Sequence, residues 1–147
     1  MKIMMLCLGN ICRSPLAEAL LKLKVSENFT IESRGTSSLH EGEGADPRMI
    51  ETARKRGVDL TTHRAKGLKA SDLEEFDLIF CMDKDNKDNA LSLASTKEQE
   101  EKIQLVLEEG QSVPDPYFGG QKGFDLVYEL LDQALEKKAR KLTEKFG

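Results

Sequence analysis

Cys7 and Arg13 bracket five residues, Leu8-Gly9-Asn10-Ile11-Cys12, and Ser14-Pro15 follow directly. A thiolate is a strong nucleophile. A guanidinium presents a planar fork that matches two oxygens of a tetrahedral oxyanion. Cys-x5-Arg alone is a weak signal. The whole string from Cys7 to Pro15 is a strong one, because its residue types all fit one geometry of strand, tight loop and helix start. Gly9 and Asn10 tolerate positive φ, Ser14 suits a helix N-cap and Pro15 a first helical position. Such a loop turns successive N–H groups inward at the positive end of a helix, which favours an anion and a thiolate. The expected phosphate-binding residues are Leu8, Gly9, Asn10, Ile11, Cys12, Arg13 and Ser14. Ser14 has two readings that can hold together, a helix cap or a hydroxyl donor to Cys7.

A thiolate that attacks a phosphomonoester leaves an alkoxide or phenolate in need of a proton. Asp115 is the candidate donor, in Val113-Pro114-Asp115-Pro116-Tyr117-Phe118. The flanking prolines stiffen the backbone and remove competing N–H groups. Tyr117 and Phe118 read as a wall that stacks on an aryl group, in a chain only 5% aromatic.

These residues must be brought to one edge by the surrounding elements. Residues 3–7 are an apolar run too short for a helix and read as a strand. A helix follows from Ser14-Pro15 to about residue 25. Phe29–Ser33 alternates and reads as a second strand; strand, helix and strand form a right-handed crossover, hence a parallel pair. A Gly- and Ser-rich loop covers 34–48, and Asp46-Pro47 caps a helix over Arg48–Arg56. Ser71-Asp72 opens a short helical turn. Phe76–Met82 is a central strand, followed by a helix from Asp83 to about Leu93, with Asp83 read as its cap rather than a catalytic group. Residues 95–101 are polar, Ile103–Leu107 is a fourth strand, and an apolar stripe marks a last helix over 121–145. The pattern predicts one α/β domain over residues 1–147: three layers, about four parallel strands in the flavodoxin-like order 2-1-3-4, and helices on both faces. Ligands of such sheets bind beyond the strand C-termini, where Cys7, Ser33, Asp83 and the loop after Leu107 all fall.

The string Cys7–Pro15 together with Asp115-Pro116-Tyr117 resembles the low-molecular-weight protein-tyrosine phosphatases of bacterial type, and weaker matches extend the resemblance over nearly the whole chain. The resemblance implies a cytoplasmic, metal- and cofactor-free enzyme that hydrolyses phosphotyrosine and aryl phosphates through a cysteinyl-phosphate, with Cys7, Arg13 and Asp115 catalytic. It places Leu39 in a second specificity wall, where animal members tend to have an aromatic residue. It makes Ser33 and His63 the supports of Asn10. The family often has two tyrosines where Tyr117 and Phe118 stand. The expected partner is a tyrosine-phosphorylated protein, a bacterial tyrosine kinase being one candidate, with the enzyme a monomer or weak dimer. Two sister activities use the same loop. Arsenate reductases need two further cysteines, and none follows Cys81. Protein-arginine phosphatases tend to carry threonine at the position of Ile11. A non-catalytic phosphate-binding module is the alternative of another class, disfavoured by the presence of both Cys7 and Asp115. Cys12 is either a resolving thiol for an oxidised Cys7 or a small buried filler.

Composition agrees with a globular enzyme: 39% hydrophobic and 33% charged residues, no membrane-length apolar run, and no charge excess suited to nucleic acid or a polybasic membrane surface at a net charge of −4. Residues 1–8 read as a core strand rather than a signal peptide. Three cysteines form no disulfide framework and, with two histidines, no zinc spacing.

Overall fold

The computed structural model describes residues 1–117 and 119–147. Four strands, β1 (Lys2–Cys7), β2 (Thr30–Gly35), β3 (Leu78–Cys81) and β4 (Ile103–Leu105), form a parallel sheet in the order β2-β1-β3-β4. Six helices complete the described chain: α1 (Arg13–Lys22), α2 (Pro47–Arg54), α3 (Asp72–Glu75), α4 (Lys84–Leu93), α5 (Lys97–Glu101) and α6 (Gln121–Phe146).

Residues 3–7 of the central strand β1 are buried because the sheet is covered on both sides. The pleat sorts them. Ile3, Met5 and Cys7 face the layer of α1, α2 and α6, while Met4 and Leu6 face Leu73, Phe76 and Ala90 on the other side. In β3, Phe80 takes the first face, and Ile79 and Cys81 the second. Each of these large side chains contributes about 1.5–3 kcal/mol by leaving water. The same alternation aims Cys7 at the α1 side and Cys81 at the opposite one.

Several local expectations are corrected. Helix α1 begins at Arg13, with Cys12 as N-cap and no side-chain cap bond, so Ser14 lies inside the first turn. Pro15 fits there because first-turn N–H groups have no helical partner. The polar residues 95–101 hold α5, capped by Thr96 onto Gln99 N. Strands β3 and β4 are shorter than their apolar runs, since Phe76 and Leu107 pack without joining the ladder.

Candidate active site

Beyond the C-terminal end of β1 the chain folds into a cup. Asn10 takes the left-handed conformation at φ 56° and is fully buried. The loop's carbonyls turn outward. Those of Cys7 and Leu8 accept from Thr36 N and Ser37 N at 2.8 and 2.9 Å, and that of Ile11 accepts from Asp46 N at 2.8 Å. The Asn10 carbonyl accepts from His63 Nε2 at 2.7 Å. Because peptide planes are rigid, the N–H groups of Leu8, Gly9, Ile11 and Cys12 must point the other way, into the cup. None of them donates to an acceptor among the described residues. With the uncapped start of α1 they make an anion cradle.

Cys7 lies at its foot, 2% exposed. Its Sγ accepts from Asn10 N at 3.3 Å and lies 2.8 Å from Ser14 Oγ. Ser14 Oγ in turn accepts from Asn10 Nδ2 at 2.8 Å, which leaves its own proton for the sulfur. Two donors thus converge on Cys7, the arrangement that suits a thiolate. The serine serves the sulfur rather than the helix.

Arg13 is buried, with Nη1 held by Asp83 Oδ2 at 2.7 Å and by the Val113 carbonyl at 3.0 Å. Its Nε and Nη2 edge is left to grip two oxygens of a ligand. Asp83 also caps α4 by accepting from Asn86 N, so the cap read from the sequence carries a second duty that only the fold reveals. Val113 N donates to Met82 O at 2.7 Å, which roots the following loop at the end of β3. Asp115 stands at the cup's rim, its Oδ2 3.8 Å from Arg13 Nη2 and its Oδ1 accepting from Tyr117 N at 3.0 Å.

The cleft holds about 300 Å³ and is lined by Cys7, Ile11, Arg13, Asp115 and, as walls, Leu39 and Tyr117. Leu39 is 80% exposed. Ser37 and His40 also line it; neither carried a motif, and His40 enters because its ring lies over Gly9. Phe118 lies outside the described residues.

Of the two expected supports of Asn10, His63 touches the loop. Burial depresses its pKa below the usual histidine value, which keeps the ring neutral, against the raising effect of the Asn10 bond. Ser33 does not prop Asn10: on β2 it faces α1 and donates to Glu18 Oε1 at 2.7 Å. The Asn10 side chain is held instead by Lys66 N, which donates to Oδ1 at 2.9 Å. A backbone amide carries no side-chain signature, so the sequence could not name it. Cys12 is buried, and burial and the Asp46 charge push its pKa up. No group of His, Cys, Asp and Glu suited to a metal ion occurs among the described residues, and no helix there is long and apolar enough to cross a membrane.

The chain's relatives agree on what this site belongs to. The family described as low molecular weight phosphotyrosine protein phosphatase matches residues 2–146. A protein of that name from Schizosaccharomyces pombe is 38% identical over 143 residues, covering 89% of this chain and 90% of its own. The crystal structure of a protein tyrosine phosphatase from Entamoeba histolytica, with Hepes in its active site, superposes with a TM-score of 0.92 at 38% identity, over 99% of this chain and 98% of that one. Vibrio vulnificus Wzb in complex with benzylphosphonate superposes at 0.88, with 32% identity over 96% and 98% of the two chains.

Proposed function

Since this chain belongs to the low molecular weight phosphotyrosine protein phosphatase family, we propose that it hydrolyses phosphotyrosine through a cysteinyl-phosphate, with Asp115 as general acid. The observation that carries this reading is the pair of donors on Cys7 Sγ, at the foot of an amide-lined cup with Arg13 and Asp115 on its rim. The Cys7 thiolate attacks phosphorus, the bond from phosphorus to the phenolic oxygen breaks, and the Asp115 proton passes to that oxygen. The equatorial oxygens rest on the inward amides and the Nε–Nη2 edge of Arg13. Water then attacks the cysteinyl-phosphate and gives its proton to Asp115. Inorganic phosphate leaves and the thiolate is restored.

Tyr117, Leu39 and Ile11 offer the substrate an apolar slot that fits a ring better than a guanidinium. Benzylphosphonate, the ligand held by the Vibrio vulnificus relative, has the same aryl-and-tetrahedral-anion shape. A thiol relay of the arsenate-reductase kind is disfavoured: Cys81 faces the other layer of the sheet from Cys7, and burial pushes its pKa up to about 12. The client is a tyrosine-phosphorylated protein, and a bacterial tyrosine kinase is the first one to test.

The test is hydrolysis of p-nitrophenyl phosphate and a phosphotyrosine peptide by the wild type, Cys7→Ser and Asp115→Asn. Cys7→Ser should be inactive yet still bind phosphate. Asp115→Asn should be slowed by about 10²–10⁴-fold on the peptide, the usual range for a lost general acid. Turnover surviving in Cys7→Ser would refute the mechanism.

A further inference from the structure

The acid-bearing loop is rooted in the fold at Val113, and its carboxyl must be aimed at the cup. One side chain outside both the loop and the cup bridges them. Asp46, the N-cap of α2, donates its backbone N–H to Ile11 O in the cup at 2.8 Å. Its carboxylate accepts from Arg48 three times, from N at 2.8 Å, Nε at 3.1 Å and Nη2 at 2.9 Å. Burial works against that carboxylate, but the bonds from Arg48 outweigh it and hold its pKa below the ordinary range.

The fork fixes the guanidinium in one plane. Its carbon then lies 4.6 Å from the ring centre of Phe124 and 5.3 Å from that of Tyr117. Phe124 is fully buried on α6 and cannot yield, so the arginine lies on a fixed floor and holds the Tyr117 ring. Tyr117 N donates to Asp115 Oδ1, and Asp115 Oδ2 faces Arg13. The contacts therefore close a ring from cup to Asp46, Arg48, Tyr117, Asp115 and back to the cup through Arg13.

We infer that Arg48 is a positioning residue for the general acid: held by Asp46, it clamps Tyr117 and thereby sets the aim of the Asp115 carboxyl. It is not among the residues that line the cleft. The inference rests on Asp115 being the proton donor. It implies a particular kinetic signature, because a misaimed acid hurts only those substrates whose leaving group needs the proton.

The experiment compares kcat/KM for phenyl phosphate, a poor leaving group, with 2,4-dinitrophenyl phosphate, whose phenolate leaves unaided. Arg48→Gln should lower the first by about tenfold and the second by less than about twofold, a fraction of the loss caused by deleting the acid itself. In an Asp115→Asn background Arg48→Gln should add less than about twofold on either substrate, as expected when two residues act through one step. A merely structural defect would lower both substrates alike, and that result, or no change in either, would overturn the clamp. If Arg48→Gln melts early, Asp46→Asn keeps the α2 cap but weakens the fork, and must show the same selective loss. If Asp115→Asn itself slowed both substrates equally, the general-acid reading would fall, whereas selective loss in Asp115→Asn without it in Arg48→Gln would sink the clamp alone.

Discussion

Replacing Asn10 by alanine should separate what holds the cup together from what reacts in it. The side chain donates to Ser14 Oγ and accepts from Lys66 N, and each neutral bond contributes about 0.5–1.5 kcal/mol net. The backbone sits at φ 56°, where an ordinary side chain costs about 1–2 kcal/mol and asparagine less. Asn10→Ala should therefore lower the unfolding free energy by about 2–4 kcal/mol. Asn10→Gly removes the backbone strain but not the lost bonds, and should recover about 1 kcal/mol of that deficit. Asn10→Asp keeps the acceptor for Lys66 N, so it should be the mildest for stability. Yet it deletes the donor to Ser14 and sets a negative charge beside Cys7, so it should be the worst of the three for oxyanion affinity. The protein has no tryptophan, so urea unfolding is followed by far-ultraviolet circular dichroism and read at constant m. Competitive inhibition by vanadate reports the cup. If Asn10→Ala lost under about 0.5 kcal/mol, or if Asn10→Asp bound vanadate as the wild type does, the reasoning about this residue would be refuted.

Three further outcomes follow from other contacts. Asp83→Asn leaves buried Arg13 without its nearer charged partner, with only the more distant Asp115 remaining, and should cost about 1.5–3 kcal/mol, a deficit that shrinks when phosphate supplies the missing countercharge; melting temperatures with and without phosphate check it. In Gly35→Ala the new Cβ would stand 2.9 Å from the carbonyl oxygens of both Leu8 and Ser37, so backbone must shift, lowering stability by about 1–3 kcal/mol and kcat/KM with it; an unchanged kcat/KM would contradict the packing. The depressed pKa of His63 means that the unfolded chain takes up a proton the folded one refuses, so stability falls as pH drops below the ordinary histidine value of about 6.5, by at most about 1.4 kcal/mol per pH unit. His63→Gln should flatten that slope between pH 6.5 and 5, above the range where the carboxylates titrate, and unfolding curves at both ends of the window measure it.

The strand order was readable because β1 and β3 are apolar on both faces and the segments between strands carry helical periodicity. The Cys7–Pro15 string was readable because a cup of this shape restricts every position in it. What escaped were relations between distant segments. Asp83 has the sequence of an ordinary cap, and nothing local marks it as the partner of Arg13, seventy residues earlier. The resemblance assigns Ser33 to Asn10, but the pleat of β2 sends it to Glu18, and an anonymous backbone amide takes its place. Helix α1 starts one residue before the cap that sequence type favours, because the Ser14 hydroxyl is committed to Cys7 and Asn10.

Leu39 stands out from the cleft with four-fifths of its surface in water, so almost no folding free energy is invested in it. Cys7, Asn10 and Arg13 at the foot of the cleft are locked into the core, while this part of its wall is not. A substitution at this position therefore reshapes the mouth of the cleft without disturbing the scaffold beneath it.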